Sequence, residues 1–175
     1  DFGAACDWNG STGTDDTVAI QAAINYGIAN HKAVFFPAMA KITAPIFVAA
    51  DTRGLHIYGV DRRNTGIYNA STTGEGALII GDNTLAVDTY DIVIRDFRIE
   101  GNGSDGKGLA VYLAHNCQFE NIMTEFTGSH GIYFNNVNQT TSINTHARRA
   151  GYNSGVNSIA GLTLKGNSLS LIHIS

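Results

Sequence analysis

From Tyr90 onward the chain repeats itself with a period near 24 residues, and no helical pattern falls inside the period. Ile94, Phe119 and Ile143 correspond at spacings of 25 and 24, and Asp96, Asn121 and Thr145 follow at the same spacings. A second thread passes through Gly108, Gly131 and Gly155, at spacings of 23 and 24. Such periods indicate a solenoid or a propeller. A propeller blade needs about 40 residues and tight hairpins. Hairpin-type Asn-Gly pairs occur only at Asn9-Gly10 and Asn102-Gly103, both in evident loops. Three short strands per period suit one coil of a parallel β-helix, each coil stacked about 4.8 Å above the last. The expected fold is therefore all-β, a single-stranded parallel β-helix.

One segment departs from this texture. Residues 14–27 contain Ile20 and Ile24, with Ile28 just beyond, an apolar stripe at every fourth position. Thr14 or Asp15 can accept hydrogen bonds from the free N–H groups at the start, and Gly27 and Asn30 are placed to end the helix. The first coil of a solenoid exposes a sheet edge and an open core, so this helix is expected to be a cap. Strands are expected within 33–37, 55–60, 66–68 and 77–80, separated by turn-forming stretches at 51–54, 61–64 and 71–76. Residues 1–168 then read as the N-terminal portion of one β-helix domain, with coils over 33–168. The closing Leu169-Ser170-Leu171-Ile172-His173-Ile174-Ser175 matches one reading frame of a sequencing adapter. It is expected to be an artefact, with the native polypeptide continuing past Ser168, and His173 carries no chemistry.

Composition narrows the function. The chain is 43% apolar, enough for a core, and its net charge is −4 with no basic block. That argues against a phosphate-neutralising nucleic-acid surface. No apolar run of about 18 residues exists to insert in a membrane. Cys6 and Cys117 are far apart and in no metal-ligand spacing, so two separate thiols are expected, with Cys117 buried.

The opening residues carry a resemblance. Asp1-Phe2-Gly3-Ala4, Asp15-Asp16-Thr17, Ala19-Ile20-Gln21-Ala22-Ala23-Ile24, Val34-Phe35-Phe36-Pro37 and Lys41-Ile42 resemble the start of the pectate-lyase-like, rhamnogalacturonase/epimerase-type right-handed β-helix domain. That family occurs in secreted polysaccharide-degrading enzymes and in bacteriophage tailspikes. The loop at 6–13 is longer than the family's usual short connection and is closer to tailspike versions. The polygalacturonase signatures Asn-Thr-Asp and Gly-His-Gly are absent. The resemblance implies a glycoside hydrolase or polysaccharide lyase acting on an acidic or complex polysaccharide, secreted or carried on a virion tail. It implies no obligatory cofactor, with calcium open for a lyase, and a homotrimer if the chain is a tailspike. The alternative is a non-catalytic carbohydrate-binding shaft.

Alternation along the strands nominates site residues. Ile92, Ile94, Phe97 and Ile99 are expected inside, as are Cys117, Phe119, Ile122 and Thr124, with Asp96 and Asn121 at a corner as a structural Asx ladder. Glu100, Glu125 and Arg149 would then form one outward column. Carboxylates one coil apart, about 5 Å, can split their pKa values, and about 5–5.5 Å is the separation in retaining glycosidases. Arg149 could bind a sugar carboxylate or assist removal of a C5 proton. A surface charge ladder is the alternative. His130, between Gly128 and Gly131, is a candidate general base, or a plain loop residue. Tyr112, Tyr133 and Tyr152 are candidate sugar platforms, because C–H groups pack on flat aromatic faces.

Overall fold

Parallel ladders account for every strand pairing among the described residues. The computed structural model describes residues 2–72, 75–103, 106–151 and 161–166. A helix, α1 (Thr17–Asn30), precedes the coils. Coil one holds β1 (Val34–Phe35), β2 (Met39–Ile42) and β3 (Ile46–Val48), and coil two holds β4 (His56–Tyr58), β5 (Gly66–Asn69) and β6 (Gly76–Ile80). Coil three holds β7 (Thr89–Tyr90), β8 (Val93–Glu100) and β9 (Lys107–Tyr112). Coil four holds β10 (Ala114–His115), β11 (Gln118–Glu125) and β12 (Ile132–Asn135), and coil five holds β13 (Thr141–Ile143), β14 (His146–Arg148) and β15 (Leu162–Lys165).

These strands stack into a larger sheet, bent along its length, and an opposed one, β3-β6-β9-β12-β15, with β7 and β10 pairing at one corner. The bend falls inside β8 and β11. There Asp96 and Asn121 take left-handed backbone conformations, at φ 54° and 55°. Asn121 Nδ2 donates to Asp96 Oδ1 at 2.8 Å, and Asn144 Nδ2 donates to Asn121 Oδ1. Asn and Asp tolerate this conformation better than other side-chain-bearing residues, and stacking them lets each amide bond the next coil. The expected Asx ladder exists, and its third rung is Asn144.

That rung shifts the register of the last coil. Phe119 pairs with Ile94 above and Ser142 below, so the step is 25 residues and then 23. Ser142 faces the core in place of the expected Ile143, and the corner falls at Asn144 in place of Thr145. The glycine thread is also corrected. Ile132 N–H donates to Gly161 C=O at 2.8 Å, so Gly161 follows Gly131, and Gly155 lies outside the described residues. The segment 169–175 also lies outside the described residues.

The core is a stack of inward ladders. Val34, Ile57, Ile94, Phe119 and Ser142 form one; Ile46, Leu78, Leu109, Ile132 and Leu162 form another on the facing sheet. Ile20 and Ile24 of α1 close the end of this interior against Phe36, Ile57, Ile67 and Phe97. The cap also satisfies the open edge. Thr17 Oγ1 accepts the Thr43 N–H at 2.8 Å. The Gln21 amide takes both backbone groups of Phe47, donating to its C=O at 2.8 Å and accepting its N–H at 2.9 Å. A side chain thus stands in for a missing strand. The helix starts three residues later than the sequence suggests; Asp15 accepts the Thr17 N–H at 3.1 Å as expected, while the Asp16 carboxylate accepts the N–H groups of Ala5 and Cys6. Gly27 does not end it. A Cβ there would meet Lys32 O at 2.8 Å, so Gly27 is a close-approach residue inside the helix, which ends at His31 in a left-handed turn.

Candidate functional site

The outer face of the sheet containing β2, β5, β8, β11 and β14 carries two columns of side chains. One runs Lys41, Tyr68, Glu100, Glu125 and Arg148; its neighbour runs Met39, Gly66, Arg98, Met123 and His146. Both follow from strand alternation, since Ile99 and Thr124 between them face the core. Glu100 and Glu125 are therefore direct neighbours across one coil step, as the 25-residue spacing suggests.

A single guanidinium nitrogen joins them. Arg98 Nη2 is 3.1 Å from Glu100 Oε2 and 2.9 Å from Glu125 Oε2. Arg148 Nη1 takes the other Glu125 oxygen at 3.0 Å. Glu125 is 8% exposed and has both oxygens engaged, whereas Glu100 is 20% exposed and has one oxygen outside the ion pair. Burial pushes the Glu100 carboxyl above its ordinary range; Arg98 opposes the shift and the Glu125 charge adds to it. One group of the pair is thus fixed between two arginines, and the other has an available oxygen and a carboxyl that burial makes easier to protonate than an ordinary glutamate.

Arg149 is not the arginine of this column. The 23-residue step puts Arg148 beside Glu125, and Arg149 takes a left-handed conformation with its guanidinium 4.8 Å from the Phe126 ring centre. Sequence reasoning also passed over Arg98, although alternation places it on the same face as Glu100.

Clefts open on both sides of the pair. One, of about 340 Å³, has Trp8, Tyr68 and Phe126 as aromatic walls, with Glu100 and Asn102 beside them. Trp8 stacks flat on Tyr68, with ring centres 3.9 Å apart and planes 3° off parallel. The 6–13 loop holds it there, through Trp8 N–H to Met39 C=O and the Asp7 carboxylate on Thr14. The other cleft, of about 540 Å³, is lined by Arg62, Arg63, Arg98, Arg148 and His146.

The remaining candidates lie elsewhere. His130 and Tyr133 sit on the β9-β12-β15 side, not with the carboxylates; His130 Nδ1 bonds Thr163 Oγ1 at 2.8 Å, and its ring centre is 5.4 Å from that of Tyr133. Lys107 Nζ is 5.0 Å from the Tyr133 ring. Tyr112 does face outward, but it is 5% exposed and packs with Ile79, Ala110, Leu85 and Tyr133, so its ring offers no open platform. Tyr152 lies outside the described residues. The thiols are separate, and burial first of all pushes Cys6 and Cys117 up to about 11, away from the thiolate form. Among the described residues no three His, Cys, Asp or Glu side chains converge to hold a metal ion. The Glu100–Glu125 pair already has Arg98 and Arg148 as its cations, so this donor set does not fit calcium.

No protein-family model and no curated protein matches the chain. Solved structures do. The ORF18 protein of Geobacillus virus E2 aligns over 92% of this chain and 34% of its own, at 23% identity and a TM-score of 0.74. The A-module of the mannuronan C-5 epimerase AlgE4 of Azotobacter vinelandii aligns over 86% of this chain and 44% of its own, at 18% identity and 0.68. The Agl-KA catalytic domain aligns over 92% and 32%, at 16% identity and 0.59. The chain has the right-handed parallel β-helix fold. This β-helix spans less than half the length of each of those chains. No helix among its described residues is long and apolar enough to cross a membrane.

Proposed function

We propose that this β-helix belongs to a secreted or virion-borne protein that degrades a polysaccharide, by hydrolysis or by β-elimination. The observation that carries the reading is the in-register Glu100–Glu125 pair bridged by one Arg98 nitrogen, between an aromatic and a cationic cleft. A sugar ring packs its C–H faces on the aromatic side while its hydroxyls meet polar groups. Glu100 is the proton-transferring group, because it has an available oxygen and a raised pKa. In hydrolysis it protonates the leaving oxygen while a water adds to the anomeric carbon and gives its proton to solvent. In elimination its ionised form removes the C5 proton beside the uronate carboxyl, the C4–O bond breaks as the C4–C5 double bond forms, and the departing oxygen takes a proton from solvent. Glu125 holds Arg98 and Arg148 in place; in elimination these guanidinium groups stabilise the negative charge that develops at the uronate carboxyl.

The ion-paired state of both carboxylates favours one other reading, a carbohydrate-binding shaft with no turnover, in which the pair is a structural ladder. Incubation with polygalacturonate separates the two. Reducing ends report hydrolysis, and ultraviolet absorbance of an unsaturated end reports elimination. Glu100→Gln should lower the rate by about 10²–10⁴-fold with binding retained. Glu125→Gln should also abolish cleavage, by releasing both arginines. Full activity in both variants would remove the pair from the mechanism. Binding by the unaltered protein with no cleavage of any polysaccharide tried would favour the shaft.

A further inference from the structure

The loop between β4 and β5 is built to hold a charge over the cationic cleft. Asp61 Oδ1 accepts the N–H groups of Arg63 at 2.6 Å and Asn64 at 3.0 Å, and Asn64 Nδ2 donates to Asp61 Oδ2 at 2.9 Å. This closes a tight turn. Three ties then fix the turn to later coils. Thr65 Oγ1 donates to Asp96 C=O at 3.0 Å, and Arg98 Nη1 donates to Arg63 C=O at 3.2 Å. Arg62 Nη1 reaches 82 residues along the chain, donating to Asn144 O at 3.0 Å and Asn144 Oδ1 at 2.8 Å.

The charges around the cleft do not cancel. Arg98 and Arg148 are met by Glu100 and Glu125. Arg62 is spent on neutral oxygens, and the exposed Arg63 guanidinium has no hydrogen bond or ion pair among the described residues. Asp61 is the one carboxylate on the loop; its oxygens are hydrogen-bonded by the turn, and its charge offsets part of that of Arg63. Four guanidinium groups, of Arg62, Arg63, Arg98 and Arg148, thus stand against the three carboxylates of Asp61, Glu100 and Glu125. In a chain of net charge −4, this leaves a local cationic surplus beside Glu100.

We propose that Arg63 is a specificity-determining residue that receives an anionic substituent, a carboxylate or a sulfate ester, on the sugar unit next to the one at Glu100. The Arg62–Asn144 strap holds it in position. The inference rests on the reading that the Glu100 face binds a polysaccharide. An arginine suits the role, since its planar fork matches either oxyanion with two parallel hydrogen bonds.

Affinity electrophoresis with two matched pairs tests it: polygalacturonate against its full methyl ester, and dextran sulfate against dextran. The protein should be retarded by one polyanion and not by its neutral twin; which one names the group. Arg63→Gln should weaken that retardation about tenfold or more, and Arg63→Lys should restore only part of it. Arg53→Gln, at a different corner and over Tyr90, is the control for net charge and should have no comparable effect. Equal retardation by the neutral twin, no change in Arg63→Gln, or an equal loss in Arg53→Gln would each overturn the proposal. Glu100-dependent cleavage of neutral and acidic polymers alike would remove Arg63 and leave the proposed function standing. Arg63-dependent retardation without cleavage would do the reverse.

Discussion

Glu100 and Asp15 respond to pH with opposite signs, and each sign follows from its surroundings. Burial raises the folded pKa of Glu100 above its ordinary 4.5. Such a group contributes stability below its unfolded pKa and loses that contribution as pH rises through the folded value. The melting temperature of Glu100→Gln should therefore gain on that of the unaltered protein as pH is raised from 4 towards 7. A variant that instead falls behind over that window would show that ionised Glu100 stabilises the fold. Hydrogen bonds from the Thr17 and Thr43 hydroxyls hold Asp15 below its ordinary 3.8. Its contribution is present above the unfolded pKa and lost as pH falls through the folded one. Asp15→Asn should flatten the fall in melting temperature below about pH 4; an unchanged acid limb would contradict this. At this scale the sequence disclosed the carboxylates and hid their cations. The 25-residue step pairs Glu100 with Glu125 correctly, but the next coil is one residue shorter than the pattern implied, and that residue separates Arg148 from Arg149.

The helix and the corner ladder are held by side chains acting as backbone partners. Gln21→Ala strips both partners from Phe47; with water able to reach the site, the loss should be about 0.5–1.5 kcal/mol in urea unfolding. Gly27→Ala sets two effects against each other. Alanine gains about 1 kcal/mol of helix propensity. Its Cβ would lie 2.8 Å from Lys32 O and 3.0 Å from Val34 Cγ2, and overpacking costs about 1–3 kcal/mol. Net destabilisation is expected, and a higher urea midpoint would show that the coil end can yield. At the corner, Asn121→Gly keeps the left-handed backbone and loses only the ladder, whereas Asn121→Ala also places a side chain at φ 55°, for about 1–2 kcal/mol more. The urea midpoints should rank Asn121, then Gly, then Ala; equal midpoints for Gly and Ala would mean the backbone conformation carries no penalty. The helix was legible from its apolar stripe, but its start was not. Asp15 accepts the Thr17 N–H as expected, but Asp16 binds the N–H groups of Ala5 and Cys6, contacts eleven and ten residues away that no local pattern encodes.

Across the whole molecule, stacked parallel coils turn a repeat in sequence into columns in space. The architecture was legible because alternation and period are local properties. Its last coil was less so, because the inward positions there are Ser142 and Ala147, small residues that carry no apolar signal, while the conspicuous Ile143 drew the register one residue astray. The site was split in the same way. Strand alternation brings Glu100, Glu125, Arg98 and Arg148 onto one face, yet it puts Tyr133 on the opposed sheet, with His130 in the loop before that strand, which a list of candidate residues cannot reveal. The loops that complete the clefts, at 6–13 and 61–65, lie outside the repeat and are positioned by contacts such as Trp8 on Tyr68 and Arg62 on Asn144. A crystal structure of the Glu100→Gln protein soaked with an oligogalacturonate tests the central claim most directly. The account predicts a glycosidic oxygen at the residue 100 side chain, with one sugar between Trp8 and Phe126 and its neighbour towards Arg63. An oligosaccharide seated instead on the opposed sheet, over Tyr133 and His130, would contradict it.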